Sequence, residues 1–111
     1  MAYSDELAER VRELLGGRSG VTERKMFGGV AWMIEGNMAC GVIGDGLLVR
    51  LGPEGAERAL AQEHVGPMEF TGRRMGGFVV VEAEGVAEPA ALGLWVDAGA
   101  EFAAGLPPKA T

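Results

Sequence analysis

The chain has 111 residues, and its ten Lys and Arg against sixteen Asp and Glu give a formal charge of −6. That length supports one hydrophobic core, and the sign is wrong for a protein that gathers a phosphate backbone through its overall field. With 48% hydrophobic and 23% charged residues the composition is globular rather than disordered.

The apolar runs Leu47-Leu48-Val49 and Phe78-Val79-Val80-Val81 fall far short of the roughly 20 residues of a membrane span. Met1 to Glu6 lacks a basic region followed by an apolar stretch, so it does not read as a signal peptide. Cys40 is the only cysteine and cannot form an internal disulfide, which agrees with a reducing compartment. A cytoplasmic location is expected.

In chain order, Ser4 is a good N-cap, Asp5 and Glu6 suit a helix N-terminus, and Leu7, Val11, Leu14 and Leu15 follow at helical spacing until Gly16-Gly17. After the loop Gly16 to Gly20, strand character begins in Val21 to Phe27 and runs on through Val30 to Ile34. Glu35-Gly36-Asn37 turns the chain, and Met38 to Ile43 returns as a hairpin partner. Asp45-Gly46 supplies a tight turn into a third antiparallel strand, Leu47 to Leu51. Pro53 suits a first helical position and Glu54 to His64 reads as a thin helix, stopped by Gly66-Pro67. Met68 to Thr71 and Phe78 to Glu82 read as strands. A terminal helix capped around Glu88-Pro89 carries Leu92, Trp95, Val96, Gly99, Phe102 and Leu106 on one stripe, with Asp97 and Glu101 outside it. The expected fold is α+β, an antiparallel sheet with helices on one face, in the order α-β-β-β-α-β-β-α.

The chemical candidates are few. Cys40 and His64, the sole cysteine and histidine, would form a nucleophile pair only if the fold brought strand two against the end of the second helix. The bland readings are a buried strand thiol and a histidine complementing a helix dipole. Ser4 and Ser19 are the only serines, one a cap and one in a glycine loop. One His, one Cys and carboxylates in no recognisable spacing do not make a metal site, and no metal is expected. Gly44-x-Gly46 opens no helix, so no nucleotide cofactor is implied.

The oddest stretch is Arg24-Lys25-Met26-Phe27-Gly28-Gly29, nearly repeated as Arg73-Arg74-Met75-Gly76-Gly77-Phe78. In one reading the backbone around Gly28-Gly29 and Gly76-Gly77 forms anion-binding nests, with Arg24, Lys25, Arg73 and Arg74 supplying charge. In the other, which we adopt, the glycines mark a bend or bulge, Met26, Phe27, Met75 and Phe78 join the core, and the bases pair with Glu23, Glu69 and other acids. Trp32, Trp95 and Phe102 read as core rather than as a stacking platform.

Arg24 to Gly29 before an apolar strand, Gly36-Asn37-Met38 in the following turn, Met68-Glu69-Phe70 before Gly72-Arg73, and Trp95 in a terminal helix closing on Leu106-Pro107-Pro108-Lys109 together resemble the N-terminal domain of TfoX/Sxy-type competence regulators. The likeness runs from Ser4 to Lys109, and Met-Phe-Gly-Gly is its most specific part. It implies a small α+β domain in a family with no established catalytic residues. Full-length members are linked to control of DNA-uptake genes, act with the cyclic-AMP receptor protein and carry a second, helical C-terminal domain.

The expectation is a stand-alone domain over residues 1–111, a non-catalytic regulatory or protein-interaction module linked to transcriptional or competence control. It needs no cofactor and makes no direct nucleic-acid or membrane contact. A homodimer is expected through an uncovered sheet face carrying Leu48 and Met33, or through the terminal helix, ahead of the edge strand around Met68 to Thr71, where Pro67 and Glu69 discourage strand pairing. The alternative is a small-ligand or anion sensor using Arg24, Lys25, Gly28, Gly29, Arg73, Arg74, Gly76 and Gly77. A ligand site would gather the four bases around one concavity; an interaction domain would scatter them and expose an apolar patch.

Overall fold

The Ser4 hydroxyl accepts the Leu7 N–H at 3.1 Å and starts the first helix, as its sequence dictates. From there the computed structural model, which describes residues 3–26, 28–70 and 72–109 and only the backbone of Phe70, runs α1 (Asp5–Leu15), β1 (Val21–Met26), β2 (Gly29–Ile34), β3 (Asn37–Ile43), β4 (Gly46–Arg50), α2 (Gly52–Ala59), β5 (Val65–Phe70), β6 (Arg73–Val81), a short 3-10 helix (Ala83–Val86) and α3 (Pro89–Ala104). The six strands form one antiparallel sheet in the order β1-β2-β3-β4-β6-β5. The α+β class and the broad order of elements agree with the expectation.

The last strand starts at Arg73 rather than Phe78, and three further details differ. Strand character from Val21 onward belongs to a separate strand, β1, because Gly28 takes φ +75° and reverses the chain, pairing Met26 with Gly29 in a hairpin. The second helix stops at Ala59 instead of reaching His64, where the backbone swings to φ +68°. β5 begins at Val65 and includes Pro67, which an edge strand tolerates because its missing N–H faces no neighbour.

The registers explain where the core lies. Val30, Val42, Leu47, Val81 and Val65 stand in one row across the sheet, and Trp32, Cys40, Val49, Val79 and Pro67 in the next. The first four of each row are buried in a single cluster with Leu7, Val11 and Leu15 of α1, Ala56 and Ala59 of α2, and Leu92, Val96, Ala100 and Ala103 of α3. All three helices therefore cover the same face. Complete burial of residues such as Leu92 and Val96 stabilises by about 1.5–3 kcal/mol each, which holds α3 in place without strong capping. Gly99 lets α3 approach β3 closely, since a Cβ there would overlap the Ala39 carbonyl oxygen.

The interleaved row Ala31, Gly41, Leu48 and Val80 points to the opposite face by strand alternation. Ala31 and Leu48 are nevertheless fully buried beneath their neighbours, and Met33 is half-buried. Leu48 is thus not the exposed sheet-face contact that the sequence suggested for a dimer.

Candidate functional site

The two basic-glycine stretches are hairpin and bulge elements at well-separated strands. Arg24 and Lys25 lie on β1, opposite Ala31 and Val30; Arg73 and Arg74 begin β6, opposite Phe70 and Glu69; β2, β3 and β4 stand between β1 and β6. Gly28 supplies the positive φ of the first hairpin, and Gly29 sits where a Cβ would overlap the Val42 carbonyl oxygen. Gly77 takes φ +89° inside a register shift of β6, and its carbonyl accepts the Leu51 N–H at 2.8 Å at the entry to α2; Gly76 is exposed beside it. Met26, Met75 and Phe78 are half-buried rather than core, and Phe27 lies outside the described residues.

Among the described residues none of the four bases pairs with Glu23 or Glu69, the two acids named for them. Arg74 approaches another acid, Glu57, at 3.9 Å, while Glu23 is held by Arg12, whose Nε and Nη2 each donate to its carboxylate at 2.8 Å. The Arg12 hydrogen bond is the main cause holding the Glu23 carboxyl below its ordinary range, and Glu23 in turn raises the Arg12 pKa, with Glu9 a second cause. Arg50 sits between the rings of Phe78 and Phe102, at 5.4 and 5.7 Å from their centroids.

Two other parts of the sequence pattern meet in space. The buried Asn37 donates from Nδ2 to the Pro107 carbonyl at 2.9 Å, and the Lys109 N–H donates to the Glu35 carbonyl at 2.7 Å. A Cβ on Gly36 would overlap the Lys109 carbonyl oxygen. Gly36-Asn37 and Leu106-Pro107-Pro108-Lys109 are therefore the two halves of one clasp that ties the chain's last described residues to the β2–β3 turn.

Cys40 is fully buried between Trp32 and Val49, and burial pushes its thiol up to about 12. His64 is exposed, so the pair does not form a nucleophile and its base. Two results follow from the buried thiol. A disulfide reagent that labels the unfolded chain within seconds labels the folded chain only as fast as it opens. Because the folded pKa is raised, the neutral thiol favours the fold below about pH 9 and that contribution disappears as pH rises toward about 12. Cys40→Ala therefore flattens the alkaline decline of the melting temperature.

The helical layer carries the open surface. Leu94 of α3 and Leu14 of α1 are 73% and 48% exposed, the large apolar side chains most open to solvent among the described residues. Leu94, Trp95, Ala91 and Ala98 form one wall of a groove of about 640 Å³, and Gln62, Glu63, His64 and Gly85 form the other. Next to that second wall the ligand atoms of His64, Glu82 and Glu84 all lie within 4.8 Å of one another. Sequence reasoning missed this cluster: the gap between positions 64 and 82 carries no metal-site spacing, and only the pairing of Val65 with Val81 closes it.

A one-layer antiparallel sheet with all its helices on one face, glycines that serve hairpins and bulges, and a sealed thiol define a small α+β scaffold whose notable surface is apolar and helical. The sequence matches the TfoX N-terminal domain over residues 13–103, and the chain belongs to that family. Comparison with curated proteins and with solved structures gave no match. Among the described residues no helix is long and apolar enough to cross a membrane.

Proposed function

We propose that this chain is a non-catalytic regulatory module that binds another protein through the groove between α3 and the segment joining α2 to β5. The observation that carries this reading is the character of α3. Only Asp97 and Glu101 are charged among its sixteen residues, yet Leu94 stands 73% exposed and Trp95 is only half-buried. A helix apolar on nearly all sides belongs in an interior, and the sheet covers only one side of this one. Family membership supports a regulatory role in cytoplasmic gene control of the competence type.

The separation of Arg24 and Lys25 from Arg73 and Arg74 by three strands supports protein contact over anion sensing. A second copy is the less favoured occupant. Glu63 lines the groove, and an identical partner brings the same charge of −6.

Tagged protein captures a specific partner from cells that naturally contain it, and Leu94→Asp loses that partner while retaining the wild-type melting temperature. Arg24→Ala and Arg73→Ala keep it. Light scattering coupled to size exclusion gives a monomer mass at micromolar concentration. Capture unaffected by Leu94→Asp, or a stable dimer that Leu94→Asp dissociates, would overturn the reading of the groove as a site for a different protein.

A further inference from the structure

We propose that His64, Glu82 and Glu84 bind a divalent first-row transition ion of the zinc class. Their ligand atoms, one imidazole nitrogen and two carboxylate oxygens, lie within 4.8 Å of one another. Ligands bound at about 2.0–2.2 Å around a tetrahedral ion stand roughly 3.4 Å apart, so closing this set takes up to about 1.4 Å of side-chain adjustment. All three side chains are exposed and free to make it.

The backbones that carry them are already fixed to each other. The Glu82 N–H donates to the His64 carbonyl at 2.8 Å, next to the Val65 to Val81 pair, and the Gly85 N–H donates to the Glu82 carbonyl at 2.8 Å. Gly85 keeps the cradle open, because a Cβ there would lie 2.6 Å from Val81 Cγ1 and 3.1 Å from His64 Cβ.

Among the described residues no Lys or Arg pairs with either carboxylate. The ion pairs among the described residues use Glu9, Glu23, Glu57 and Glu101, and neither Glu82 nor Glu84 takes part in one. Two like charges therefore converge beside the chain's only imidazole with no Lys or Arg of the described residues paired to them, an arrangement that a dication relieves. The donor set chooses the ion. One nitrogen with two carboxylates suits Zn²⁺, Co²⁺ or Ni²⁺, whereas Mg²⁺ and Ca²⁺ prefer six or more oxygens. Three protein ligands leave a position for water or for a donor from elsewhere. A bound ion would cross-link the segment joining α2 to β5 with the 3-10 helix, stiffening one wall of the α3 groove, since His64 lines both. The metal site stands or falls independently of what that groove binds.

Isothermal titration of the untagged, metal-free chain with Zn²⁺ in a non-coordinating buffer is expected to show one site with micromolar affinity. His64→Asn, which keeps a residue tolerant of positive φ, and Glu84→Gln each weaken it at least tenfold. Cys40→Ala leaves it unchanged, and millimolar Mg²⁺ does not compete. No saturable Zn²⁺ binding below the millimolar range, or binding of equal strength in His64→Asn, would overturn the assignment.

Discussion

Gly29→Ala is expected to destabilise the fold by about 3 kcal/mol or more, and Gly28→Ala by only about 1 kcal/mol. The two glycines are adjacent but serve different needs. At Gly28 the backbone has φ +75° and a Cβ would meet nothing within 4 Å, so the cost is the intrinsic one of holding an L-residue in the left-handed region. Gly29 has no such φ, but its Cβ would overlap the carbonyl oxygen of Val42 on β3. That oxygen cannot rotate away. β2 and β3 must separate there, disturbing the rows that run through Val30, Val42 and Leu47 in the centre of the sheet. Gly28→Asn serves as the control and is nearly neutral, because Asn tolerates positive φ. Urea midpoints measured on the three variants test the assignment; equal losses at the two positions would show that close approach is not what keeps Gly29 free of a side chain.

The same pair shows what the sequence made legible. Two glycines at the mouth of an apolar strand announced that the chain needs either positive φ or close approach, and it needs one at each position. Helical spacing placed α1 and the buried stripe Leu92, Val96 and Gly99 of α3, whereas the central strands β2 to β4 are apolar and buried nearly throughout, so no alternation marks their core face. What pattern left out was pairing between distant strands. Whether Arg24 and Arg73 share a concavity, and whether His64 reaches Glu82, depends on the order β4-β6-β5, which no local spacing records. The thin second helix misled for a local reason. Leu60 and Ala61 continue the pattern past Ala59, but the chain must reverse at His64 for Val65 to pair with Val81. Helix propensity yielded to that pairing.

Trp32→Ala is the other substitution expected to be severe, at about 3–5 kcal/mol. Trp32 is only 1% exposed, lies in the row with Cys40, Val49 and Val79, and packs in the cluster shared with α1 and α3. Its removal leaves a cavity that the central strands cannot close, because their backbones are pinned by neighbours on both sides. The indole has a second tie: Nε1 donates to Glu23 Oε1 at 3.0 Å, and that carboxylate is gripped by Arg12 from α1. Trp32→Phe retains most of the packing and loses this bond, so its cost is nearer 1–2 kcal/mol.

Trp32→Phe and Arg12→Ala separate by pH. Arg12 first, and the indole N–H to a lesser degree, hold the Glu23 carboxyl below its ordinary range. The unfolded chain therefore binds that proton at a higher pH than the folded one. The ion pair's contribution is present at neutral pH and fades as pH falls through the lowered folded value. It is modest, because both partners are solvent-accessible. In Trp32→Phe the Arg12–Glu23 pair survives and acid still weakens the fold; in Arg12→Ala that part of the acid dependence shrinks while Trp32 stays packed. Chemical denaturation of the wild type and the three variants at pH 7 and pH 4 measures both effects. A loss below about 2 kcal/mol for Trp32→Ala at pH 7 would mean that the sheet can collapse around the missing indole, and that the clamp from α1 through Glu23, rather than the bulk of the ring, is what fixes β1 against the core.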